Sequence, residues 1–119
     1  MSAVLVGFGG VCGVLARYGI GRATLHSDAL IWSTVGINVV GSFLLGLLVS
    51  EDWFSRDVRE ALGVGFLGGF TTFSTFSVQV VLDVDAGEPW RAFGYLIASV
   101  VGGIAAAACG YVLGRKLAL

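Results

Sequence analysis

The charges of this 119-residue chain are clustered, and between the clusters lie four stretches with none: residues 1–16, 30–50, 61–82 and 92–114. A hydrocarbon core about 30 Å thick is crossed by roughly 20 helical residues rising 1.5 Å each. The last three stretches have that length, and the first reaches it by running past Arg17. Asp28, Glu51, Asp52, Asp57, Glu60, Asp83, Asp85 and Glu88, which are all of the acids, fall between the stretches. Charged residues make up only 13% of the chain, against about 25% in soluble domains. The pattern predicts an all-α membrane protein, a single transmembrane domain over residues 1–119, with spans at about 2–22, 30–50, 61–82 and 92–114. Residues 1–16 lack the basic start of a signal peptide and are followed by three more spans, so they read as the first helix.

The remaining composition excludes several classes. Cys12 and Cys109 lie in apolar, Gly/Ala-rich spans without a CxxC pair or a histidine cluster, so they read as packed small residues and not as a disulfide or metal site. His26 stands alone in a loop. A net charge of −1 implies no nucleic acid and no polybasic lipid contact. No nucleophile–base pair points to an enzyme. The loop acids Asp83, Asp85 and Glu88 are expected to be solvated.

Orientation is weakly specified. With the N-terminus inside, that side carries Arg56, Arg59, Arg115 and Lys116, while the other carries Arg22 and Arg91, with Arg17 close by. Lys/Arg asymmetry normally sets topology, and a bias this small permits insertion in both directions. Nineteen glycines suit close helix approach in lipid. Gly9, Gly13 and Gly21 share a face of the first span with Arg17. Ala98, Gly102, Ala106, Gly110 and Gly114 form a stripe on the fourth. These faces exceed what one four-helix chain can bury against itself, so an oligomer is expected.

Polar residues also keep to faces. Thr34, Asn38, Ser42 and Gly46 share a stripe of the second span, and Tyr95, Ser99 and Gly103 share one of the fourth. A mid-membrane Asn needs a hydrogen-bond partner or a wet cavity. Arg17 is close enough to a span end to snorkel toward the interface as a structural anchor. The third span carries Gly68-Gly69-Phe70-Thr71-Thr72-Phe73-Ser74-Thr75-Phe76-Ser77, a glycine pair followed by five hydroxyl residues within seven positions. Glycine pairs interrupt helices and Ser/Thr cap restarted ones, so this helix is expected to break mid-membrane. Interrupted helices supply ion sites in transporters. Phe73 and Phe76 share a helical face beside Thr72, Ser74 and Thr75. Their ring edges are electropositive and would attract an anion without adding charge.

Three blocks resemble the signatures of the Fluc (CrcB-type) fluoride channels. They are Gly9-Gly10-Val11-Cys12-Gly13-Val14-Leu15-Ala16-Arg17-Tyr18, Thr34-Val35-Gly36-Ile37-Asn38-Val39-Val40-Gly41-Ser42-Phe43 and Gly68-Gly69-Phe70-Thr71-Thr72-Phe73-Ser74-Thr75-Phe76. The fourth span matches more loosely. The resemblance implies a fluoride-selective channel that passively exports fluoride and lowers its toxicity, in the plasma membrane of a prokaryote. It implies an antiparallel, dual-topology homodimer with two pores; some relatives pair with a paralogue instead. Asn38 would then be a pore-lining donor, and Phe73 and Phe76 would supply ring edges. Thr72, Ser74 and Thr75 would lie along the polar path, with Tyr95 and Ser99 on its fourth-helix side. The backbone carbonyls of Gly68 and Thr71 would hold a structural sodium ion on the two-fold axis.

The main alternative is a dual-topology small multidrug exporter, similar in length and span number. Proton-coupled cation exchange needs an ionisable carboxylate within the membrane, and no span contains one.

Overall fold

The structure is a computed structural model that describes residues 2–24 and 29–118, with residues 29–31 described by backbone alone. His26 lies outside the described residues. The helices are α1 (Ser2–Ala23), α2 (Ala29–Ser50), α3 (Arg56–Glu60), a π-helical segment (Ala61–Leu67), α4 (Gly68–Phe70), α5 (Phe73–Asp85) and α6 (Pro89–Leu117). No strand occurs among the described residues. Four helical stretches are long and apolar enough to cross a membrane: Ser2–Ala23, Trp32–Ser50, Arg56–Asp85 and Pro89–Leu117.

Local chemistry explains where these elements start and stop. Ser55 accepts a hydrogen bond from Val58 N at 3.4 Å and caps α3, so the third stretch begins in the charged segment and not at its first uncharged residue. Pro89 opens α6, where its missing N–H costs nothing. Between α5 and α6, Gly87 takes a φ of +79°, a conformation that glycine adopts without strain.

Packing is by backbone approach. A Cβ added to Gly13 would overlap the Phe66 carbonyl, one on Gly65 would come 2.6 Å from Val6 O, and one on Gly69 would come 2.7 Å from Gly10 O. These contacts clamp α1 to the π segment and α4. The second clamp joins α2 to α6, where a Cβ on Gly46 would overlap the Ala107 carbonyl and one on Gly110 the Phe43 carbonyl. Lipid supplies no hydrophobic drive between helices, so such close van der Waals contact is what holds them. Gly21 has nothing within 4 Å of its Cβ position and takes no part.

Two ion pairs tie down the helix ends. Arg59 Nη1 bonds the Leu48 carbonyl, Glu51 O at 2.9 Å and Glu51 Oε1 at 3.1 Å, filling the carbonyls exposed at the end of α2. Arg91 Nη2 donates to Asp83 Oδ1 at 2.7 Å. Asp83 is 4% exposed, which corrects the expectation that it is solvated: a helical partner eight residues on folds over it. Asp85 and Glu88 are exposed. The bundle measures 50 × 29 × 19 Å, and 19 Å is less than two helix diameters of 10–12 Å. So thin a body leaves broad apolar faces outward.

Candidate functional site

The helical run that starts at Arg56 ends at Phe70. Thr71 (φ −85°, ψ 158°) and Thr72 (φ −151°, ψ 121°) are extended, and α5 begins at Phe73. Ending and restarting a helix strands carbonyls on one side and N–H groups on the other, so each must be accounted for. Leu67 O accepts from Thr71 N at 3.0 Å and from Thr71 Oγ1 at 2.9 Å. Gly69 O accepts from Arg17 Nε at 3.2 Å. Arg17 Nε therefore meets a helix C-terminus, where a cation faces the negative end of the peptide dipoles. On the α5 side, Thr72 Oγ1 accepts from Thr75 N at 3.3 Å as the N-cap.

Asn38 closes the account from α2. Its Oδ1 accepts from Thr72 N at 2.8 Å and its Nδ2 donates to Thr72 O at 2.9 Å. This double contact fixes the amide orientation, since a flipped amide would set donor against donor. The second Nδ2 hydrogen has no partner among the described residues.

Around this link lies an open groove of ≈ 450 Å³. Its lining brings together Asn38, Thr72, Phe73, Phe76 and Ser99, with Gly68 and Thr71 beside them and no charged residue. Phe76 is 6% exposed and Phe73 79% exposed. Their rings lie 5.8 Å apart at 57°, so one ring is embedded while the other projects from the chain. The Ser99 hydroxyl is buried and has no hydrogen-bond partner among the described residues.

Ser74, Thr75 and Tyr95 do not line this groove. Ser74 is exposed. Thr75 lines a second pocket of ≈ 240 Å³ with Arg17, Arg22, Thr34 and Thr72. Tyr95 is fully buried, its ring stacked on Phe76 at 5.1 Å and its hydroxyl donating to Gln79 Oε1 at 2.5 Å. Its one hydroxyl hydrogen is taken by Gln79, and its ring backs that of Phe76. Gln79 escaped the sequence reading, as did the pairing of Asp83 with Arg91. Their signal is the spacing of Phe76, Gln79 and Asp83, one face of α5, continued by Arg91 and Tyr95 on α6.

Four apolar spanning stretches around an uncharged groove define a helical, multi-pass membrane protein. The family model described as CrcB-like protein, Camphor Resistance (CrcB), matches residues 4–111. A Thermus thermophilus protein named fluoride-specific ion channel FluC is 41% identical over 119 residues, covering 96% of this chain and 95% of that one. Its Rhizobium johnstonii namesake is 39% identical, with 99% of each covered, and FluC 2 of Moorella thermoacetica is 37% identical, with 98% and 99% covered. The chain belongs to the CrcB-like family.

Proposed function

We propose that the chain forms a fluoride-selective channel through which fluoride leaves the cytoplasm down its own gradient, and that it is no enzyme. The carrying observation is the groove, whose lining combines Ser99, Asn38 and the Phe76 ring with no charged residue among its members. A halide is costly to dehydrate, so a pore without fixed positive charge must surround it with many weak donors. Hydroxyls, one amide and ring edges are such donors. The names of the relatives point the same way. A proton-coupled exporter is disfavoured, because the buried carboxylates Glu51 and Asp83 are each paired with an arginine and neither lines the groove.

The working unit we propose is an antiparallel homodimer with the third span interrupted mid-membrane at Thr71–Thr72. The openness of the groove and the projecting Phe73 support it: a second copy would close one and receive the other. The relatives are bacterial, which supports the plasma membrane of a prokaryote. The carbonyls of Gly68 and Thr71 stand at the break, and among the described residues no backbone hydrogen bond outside the helices' own ladders reaches either. Oxygen donors of that kind fit a hard cation, and a sodium ion there would offset the dipoles converging from two subunits.

Purified protein in liposomes tests the reading. Fluoride efflux at a fluoride electrode is expected, with chloride efflux close to that of empty vesicles. Absent fluoride efflux, or equal flux of both halides, would refute it. Orientation is read from a cysteine at Glu88 in a Cys12→Ser, Cys109→Ser background, with label reaching it from both sides of the membrane. One-sided labelling would remove the antiparallel dimer.

A further inference from the structure

The two hydrogen bonds between Asn38 and Thr72 also decide what becomes of the neighbouring carbonyls. Had the helix continued past Phe70, the Thr72 N–H would have bonded the carbonyl four residues back, which is Gly68 O. Asn38 Oδ1 takes that hydrogen instead, at 2.8 Å, so Gly68 O does not receive it. The same bond aims a second oxygen. The Thr71–Thr72 peptide is trans, so its carbonyl and its N–H point in opposite directions. With the N–H directed at α2, the Thr71 carbonyl is directed away from it. Nδ2 then holds the Thr72 carbonyl at 2.9 Å, so both polar groups of this extended residue are gripped, as a neighbouring strand would grip them.

We infer that Asn38 is the positioning residue of a cation site, releasing the Gly68 carbonyl and turning the Thr71 carbonyl outward. The inference rests on the reading that these two oxygens hold sodium, and it is independent of which ion the groove passes. It also separates two tasks within one side chain. Oδ1 and one Nδ2 hydrogen shape the link, and the other hydrogen remains for the groove.

The test is thermal unfolding of the purified dimer without fluoride, titrated with sodium chloride against N-methyl-D-glucamine chloride. Sodium is expected to raise the wild-type midpoint. Asn38→Leu has similar bulk and no acceptor, and should need at least about tenfold more sodium for half of the stabilisation. Gly21→Ala, whose added Cβ meets nothing within 4 Å, should respond as wild type does. Equal responses from all three proteins overturn the inference and leave the cation site standing. A wild type indifferent to sodium overturns both. If Asn38→Leu yields no dimer, Asn38→Ala decides, since it also lacks the acceptor: a rise of at least about tenfold in the sodium midpoint supports the assignment, and an unchanged midpoint overturns it.

Discussion

The α1 clamp and the groove around Thr71–Thr72 use glycine for opposite ends. In the clamp, the space left by each missing side chain is filled by another backbone, as at Gly13 on Phe66 and Gly69 on Gly10. In the groove, Gly68 and Gly103 line space that the chain itself does not fill, and a Cβ on either would meet nothing closer than 3.7 Å. Polar atoms follow the same division. At the helix ends the charges are paired, Arg59 with Glu51 and Arg91 with Asp83, whereas the groove keeps a spare amide hydrogen and an unpaired hydroxyl. An unmet donor in a water-poor place costs about 1–3 kcal/mol, and we propose that a ligand meets these two; the other buried side-chain atom without a partner among the described residues, Asp83 Oδ2, is an acceptor outside the groove.

The comparison breaks most sharply at Asn38. Asn38→Asp removes the spare donor and, once ionised, sets a charge in the groove. Two like charges 4 Å apart repel by about 4 kcal/mol at an effective dielectric of 20, so fluoride efflux should fall by at least about a hundredfold. Efflux from liposomes, beside a check that the variant elutes as a dimer, measures this; normal flux would show that the amide only staples the link.

Phe76→Ile and Phe73→Ile come next. Each keeps apolarity and deletes the ring edge, and the expected loss of flux is about tenfold or more. Phe76 is in the core, so its variant should also lose stability by about 1 kcal/mol or more, while the exposed Phe73 variant should melt like wild type. A flux loss that tracked stability alone would reduce both rings to packing.

The clamp is tested by Gly13→Leu, which must displace the Phe66 backbone. A destabilisation of about 1–3 kcal/mol or outright failure to assemble is expected, measured by unfolding in detergent. Gly21→Ala is its control, since nothing lies near that position and the helix gains up to about 1 kcal/mol of propensity. Similar behaviour of the two would remove the distinction between filled and unfilled glycines.

Ser99→Ala should have the smallest effect on the fold. The hydroxyl has no partner to lose, so the melting point should hold or rise slightly while flux declines. Unchanged flux would take Ser99 out of the path.

Much of this architecture was legible in the chain. Uncharged stretches of spanning length announced the helices, and small residues at every fourth position announced the clamps. Asn38 on α2, Phe76 in the third stretch and Ser99 on α6 were each legible on a polar or aromatic face, because helical period alone assigns a face. The period does not name the neighbour across it. Arg17 was free to reach either the interface or a stranded carbonyl, and only the approach of α1 to α4 made Gly69 O its partner. Tyr95 looked as available as Ser99 until Gln79 was seen to take its hydrogen. Asp83 read as a loop acid because its cover, Arg91, comes from the next helix.

Composition and periodicity determined that this chain crosses a membrane and which residues share a face, since those properties follow from transfer energy and a 3.6-residue turn. Which polar groups are spent and which stay free was decided by the tertiary structure. Hydrogen bonds act within about 3 Å, and only folding sets Asn38 against Thr72 across 34 residues of chain.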